Sequence, residues 1–173
     1  VRVVCPGHSY LVAVVNHGHT GQQELQSRCQ LLLLPVLAAQ IEQSGSVVAA
    51  QQIPQQGIGT SVDIAPLAVK TAIENGQRNG MQPPRYTMVE GDLTKGMSGQ
   101  YDVVLANIVA DAIIALSPAI PAFLKPNGVY IVSGIIDTRE ADVLPVLAQC
   151  GFTVVQRREQ GGWVCLACRA AQG

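Results

Sequence analysis

The sequence predicts an α/β fold, a doubly wound and mostly parallel sheet closed by an antiparallel C-terminal hairpin. Three observations predict it. From about residue 57 onward, short apolar runs suited to buried strands alternate with longer amphipathic stretches suited to helices. The polar side chains Asp63, Asp92 and Asn107 end three successive predicted strands, so a parallel sheet would gather them on one edge. Near the C-terminus, Phe152 to Gln156 and Trp163 to Ala167 flank Gly161-Gly162, as the arms of a hairpin would.

Taken in order, the first 60 residues differ in kind from the rest. They hold ten of the seventeen glutamines, only Glu24 and Glu42 as acids, only Arg2 and Arg28 as bases, and no Lys. Residues 1–38 are accordingly expected to be an atypical, poorly ordered N-terminal segment, with the domain proper over 39–170. Leu25 to Ile41 has helical character that Pro35 interrupts. The short apolar patch Tyr10 to Val15 lacks a small-residue cleavage pattern and makes no secretory signal. Leu31 to Ala39, the longest apolar run, is about half of the roughly 20 residues that cross a bilayer. No membrane partner is expected. The initial Val1 suggests a fragment.

Ile58 to Val62 reads as a short strand ending at Asp63, and Pro66 opens a helix at a first-turn position. Leu67, Val69, Ala72 and Ile73 give that helix one apolar face, and Asn79-Gly80 stops it. Pro83-Pro84 links it to a strand over Tyr86 to Glu90, which leads into Gly91-Asp92-Leu93. Val103 to Ala106, four consecutive apolar residues after Asp102, read as a strand buried on both faces, and Asn107 falls where that strand must end. Ile108 to Leu116 suits a helix packing back on the sheet, and the helical stretch to Leu124 is broken by Pro118 and Pro121. Lys125-Pro126-Asn127-Gly128 reads as a turn, Val129 to Ser133 as a buried strand, and Arg139 to Cys150 as a helix closed by Gly151.

A chain of 173 residues supports one domain with a real core. Its net charge of −1 argues against direct nucleic-acid binding, which needs a clustered excess of Lys and Arg. Five cysteines at scattered positions suit a reducing cytoplasm better than a disulfide framework. No metal is expected: Cys165 and Cys168 would point to opposite faces of a strand, and Cys5, His8, His17 and His19 have no regular ligand spacing.

The three punctuating residues suit one chemistry. An acid after the second strand of such a sheet can accept hydrogen bonds from both hydroxyls of a ribose, and an acid after the next strand can reach an adenine amino group. Each also has a plain reading: Asp63 as a helix N-terminal acid, Asp92 as a Gly-Asp turn, Asn107 as a residue that turns the chain.

In Val62 to Val69, Asn75 to Gly80, Glu90 to Leu93, Tyr101 to Asp111, Leu124 to Gly128, Ser133 to Ile136, Gly151-Phe152 and Gly162 to Val164, the chain resembles S-adenosylmethionine-dependent methyltransferases. Within them it is most similar to the family that methylates ribosomal large-subunit protein eleven. Asn107-Ile108-Val109-Ala110-Asp111 and Ser133-Gly134-Ile135-Ile136 are the specific segments. The resemblance implies a Rossmann-like methyltransferase sheet and S-adenosylmethionine as cofactor. It implies that Asp63 holds the ribose, Asp92 lies beside the adenine, and Gly45, Ile64 and Leu93 complete the cofactor site. Asn107 would face the methyl group and the incoming amine as the catalytic residue. The implied partner is a ribosomal large-subunit protein, methylated on a lysine or N-terminal amine in the cytoplasm.

The first half departs from that pattern. Counting back from Asp63, the family's acid and three alternate glycines fall on Ala39, Ile41, Gln43 and Gly45, and the supporting helix would contain Pro54. The nearest match to the family's Gly-Thr-Gly-any-His loop is His19-Thr20-Gly21, with Gln23 in the histidine position, and a separate substrate-recognition domain does not fit upstream. Two compensating frameshifts would produce such a first half. Two rival readings follow: a catalytically inactive fragment or pseudo-enzyme of the family, and a nucleotide-dependent oxidoreductase, which would need a Gly-any-Gly-any-any-Gly turn that is missing here.

Overall fold

A computed structural model describes residues 9–13, 58–78, 83–84, 86–92, 94–95 and 97–170. Its strands are β1 (Ser9–Ala13), β2 (Ile58–Asp63), β3 (Tyr86–Glu90), β4 (Tyr101–Asn107), β5 (Leu124–Ile136), β6 (Phe152–Gln160) and β7 (Trp163–Ala170). The helices are α1 (Pro66–Arg78), α2 (Ala110–Leu116) and α3 (Glu140–Gln149), with 3-10 turns over Ser117–Phe123 and Asp137–Arg139. One sheet runs in the order β3-β2-β1-β4-β5-β7-β6. Pairing is parallel from β3 through β5, and β7 runs antiparallel to both of its neighbours. The doubly wound sheet with its antiparallel closing hairpin is therefore as the sequence predicts. No described helix is long and apolar enough to cross a membrane.

The structure differs from the sequence reading in three places. The strand between β2 and β4 is Ser9–Ala13, in register with Ile58 to Val62 on one side and, from Tyr10 on, with Val103 to Ala106 on the other. The sheet thus takes in residues upstream of position 39, where the pattern had put the start of the domain. Second, Lys125 to Gly128 is an excursion within β5 rather than a loop before it: Leu124 pairs with Tyr101 and Val129 with Val103. Asn127 takes a φ of 66°, and Lys125 Nζ reaches back 2.9 Å to Asp102 Oδ2 to pin the excursion against β4. Third, both predicted helices flanking β5 have their irregular turns in 3-10 geometry. Pro118 and Pro121 lack the N–H an α-helix needs, so the chain after Leu116 tightens instead.

Period-2 alternation explains the layers. Val104, Ala106, Tyr130, Val132, Leu166 and Cys168 form one cluster with Ile113, Leu116, Ile120, Val143 and Leu147, so α2 and α3 cover that face. Val103, Val129, Ile131 and Ala167 are buried outside that cluster and belong to the opposite face. By the same alternation Asn107 and Ser133 share the second face at the carboxyl edge. At the far end β6 is the outermost strand, with Arg157 bridging Glu140 and Glu159 at 2.7 and 2.8 Å.

Tyr130 anchors the first face. Ser117 Oγ donates to the Ile113 carbonyl at 2.7 Å, which leaves Tyr130 as donor in the 3.3 Å contact between the two hydroxyls. The Tyr130 and Phe152 rings are tilted with centroids 5.2 Å apart, and Cys168 is the register partner of Tyr130 on β7. Burial drives the Tyr130 phenol upward, and burial, with Cys165 adding to it, pushes the Cys168 thiol up to about 12. Both groups stay neutral in the fold while the unfolded chain ionises them. Their stabilisation is complete below about pH 9 and is lost as pH rises toward 12. Urea midpoints measured from pH 8 to 11 should fall steadily, and Cys168→Ala should flatten that slope.

Candidate active site

Strand order reverses between β1 and β4, and the crevice outside the carboxyl ends at such a switch point is where open α/β sheets take ligands. Asp63 and Asn107 end strands on either side of it. Asp63 is 3% exposed, and its Oδ1 accepts the Ala65 N–H at 2.8 Å, which turns the chain into α1. A carboxylate has about four lone-pair sites, so this bond leaves acceptor capacity for a ligand. Ile64 beside it is 44% exposed.

Asp92 lies two residues beyond the end of β3, whose last residue, Glu90, is the register partner of Asp63. The Gly91 N–H donates to the Asp63 carbonyl at 3.0 Å, and a Cβ at Gly91 would collide with the Lys95 carbonyl. Only glycine lets the chain pass there. The Asp92 side chain is half exposed and 3.3 Å from Lys95 Nζ, an ion pair that a ligand can displace at little cost. Gly45 and Leu93, together with Ala39, Ile41, Gln43 and Pro54, lie outside the described residues.

Asn107 is half-buried, and its turn is fixed by β5. The Ile108 N–H donates to the Ser133 carbonyl at 3.1 Å, and Asn107 and Ser133 are register partners. Between Val132 and Ile135 the pairing with β7 slips, so Ser133 and Gly134 together oppose Cys165. Gly134 sits at φ +84°, where a Cβ would stand 2.7 Å from the Ile108 carbonyl oxygen and 3.2 Å from Asn107 Oδ1. Gly134→Ala should therefore destabilise the protein by about 2 kcal/mol, from left-handed strain plus displacement of the Asn107 turn. A thermal melt unchanged within one degree would show that the turn yields freely.

Beyond Asn107, the first turn of α2 carries Asp111, and Arg139 bridges it to Asp142, each contact 2.6 Å. Hydrogen bonding to Arg139 holds the Asp111 carboxyl below its ordinary range. Ser133 and Gly134 are edge residues to which the sequence reading gave no role. Their signal is the same as that of Asn107: Ser133 is the first polar side chain after an apolar strand run. Among the described residues no group of three or more His, Cys, Asp or Glu could hold a metal ion.

Comparison with known proteins gives a consistent result. A family profile described as ribosomal protein L11 methyltransferase (PrmA) matches residues 45–171. The ribosomal protein L11 methyltransferase of Pelotomaculum thermopropionicum is 41% identical over 128 residues, which cover 73% of this chain and 41% of that one. That of Desulforamulus reducens is 42% identical over 108 residues, 62% of this chain and 35% of that one. The chain thus spans less than half the length of these relatives. Among solved structures, a ribosomal protein L11 methylase from Lactobacillus delbrueckii subsp. bulgaricus aligns with a TM-score of 0.66 at 22% identity, covering 94% of this chain and 70% of that one. TrmN from Thermus thermophilus aligns at 0.64 and 16% identity, covering 95% and 44%. At these identities the structural matches speak for the Rossmann-like methyltransferase fold.

Proposed function

The chain belongs to the ribosomal protein L11 methyltransferase family, and from that membership we propose that it is an S-adenosylmethionine-dependent N-methyltransferase acting on a ribosomal large-subunit protein. The observation that carries this reading is Asn107, an amide held at the carboxyl end of β4 beside the switch point. Family membership leaves no place for the oxidoreductase reading. A substrate of this kind makes the cytoplasm the working compartment.

The described residues fit the adenosine end of the cofactor. Asp63 keeps free acceptor capacity at the strand edge, and Asp92 has a displaceable lysine partner. Asp63 would take the ribose hydroxyls, Ile64 would pack beside them, and Asp92 would lie next to the adenine amino group. Gly45 and Leu93 are assigned to the same site by their place in the family pattern. When bound, S-adenosylmethionine supplies an electrophilic sulfonium methyl group.

The acceptor, a lysine or an N-terminal amine, must be neutral to attack, and its ordinary pKa of about 10.4 or 8 means that a proton leaves first. Asn107 cannot remove that proton. Its Oδ1 accepts a hydrogen bond from the amine and so points the nitrogen lone pair along the line of transfer, while water takes the proton. The test is incubation of the purified chain with methyl-labelled S-adenosylmethionine and the isolated large-subunit protein, followed by mass mapping. Label on a lysine or the N-terminal amine supports the reading. Cofactor that binds with no label transferred would leave an inactive member of the family.

A further inference from the structure

Ser133 is fully buried, and among the described residues its Oγ is the buried side-chain nitrogen or oxygen with no hydrogen-bond partner. A buried hydroxyl in that condition costs stability, so it asks for an explanation. Its surroundings supply one. Ser133 and Asn107 are register partners on adjacent parallel strands, on the same face of the sheet, where neighbouring backbones run about 4.8 Å apart. The Ser133 carbonyl already holds the Ile108 N–H, and the left-handed turn at Gly134 brings backbone close beneath Asn107 Oδ1. The register partner of Asn107 thus carries a buried hydroxyl with no partner, Ser133 Oγ.

An asparagine amide has nearly the same shape whichever way it faces, but the two orientations have opposite effects on an amine. With Oδ1 forward it accepts the amine's N–H and leaves the lone pair available. With Nδ2 forward it donates into that lone pair and blocks attack. Something must choose between them.

We propose that Ser133 is a positioning residue for Asn107: its Oγ accepts a hydrogen bond from the amide Nδ2–H as the acceptor amine arrives, which turns Oδ1 toward the amine. This inference rests on the methyl-transfer reading above.

The test compares Ser133→Ala with the full wild-type chain in three measurements. The ligand-free melting temperature should rise by about 2 to 4 °C, because the substitution removes an unsatisfied buried hydroxyl and leaves a methyl side chain. S-adenosylmethionine affinity by calorimetry should stay within about threefold, while single-turnover transfer at saturating cofactor falls about tenfold. In an Asn107→Ala background Ser133→Ala should slow transfer no further. A lower melting temperature would give the hydroxyl a structural partner and overturn the proposal. So would unchanged transfer, or losses that add in the double variant, in an active wild-type chain. A wild-type chain that transfers no methyl overturns the functional reading itself, and this inference with it.

Discussion

Asn107→Ala is expected to slow methyl transfer by on the order of a hundredfold at saturating cofactor while S-adenosylmethionine affinity stays within about threefold. The split follows from what the amide touches. Its turn is held by backbone, through the Ile108 N–H to Ser133 and the close approach of Gly134, so truncating the side chain leaves the edge in place. What is lost is the acceptor that orients the amine, a contribution made at the reacting centre and absent from the cofactor's ground state. Rates measured on a version with demonstrated transfer activity, alongside calorimetric affinities, separate the two effects. Equal losses of binding and rate would make Asn107 a structural turn.

Asp63→Ala should weaken S-adenosylmethionine binding by about 30- to 1000-fold, the loss of two charge-assisted hydrogen bonds worth about 2 to 4 kcal/mol together. Asp63→Asn should be milder, because an amide oxygen can still accept the Ala65 N–H that Oδ1 holds at 2.8 Å and still accept one ribose hydroxyl. That backbone bond matters to the design of the experiment. Removing it loosens the entry to α1 and lowers stability by about 1 kcal/mol whether or not a ligand ever binds. Melting curves therefore accompany the titrations. Two variants that melt lower but bind as wild type would return Asp63 to the role of a helix-entry acid.

The elements from residue 58 onward were legible because each carries its own punctuation: Asp63 and Asn107 close strands, Pro66 opens a helix, and Gly151 and Gly161-Gly162 take positive φ at turns. Local chemistry of that kind needs no tertiary knowledge. Ser9–Ala13 was not legible for the opposite reason. A five-residue strand is set by its two neighbours rather than by its own ends, and counting back from Asp63 directed the search to residue 39 instead. Lys125 to Gly128 has the composition of a turn, yet pairing on both sides keeps it within a strand, and composition cannot distinguish the two. At the edge, the positions of Asp63 and Asn107 could be read, whereas the pairing of Asn107 with Ser133 could not. Register between strands is a property of the assembled sheet.

The outermost strand has a consequence for how the protein behaves at high concentration. Among the described residues β6, nine residues long, is the last strand in the order of the sheet and pairs there with β7, and an open strand edge is a template onto which another polypeptide can zip. Here the last four residues of the strand are Arg157, Arg158, Glu159 and Gln160, all exposed. An arriving strand would have to bury or displace the guanidinium that joins Glu140 to Glu159. That stretch of edge is thereby guarded against self-association by charge, and the guard weakens as salt screens it.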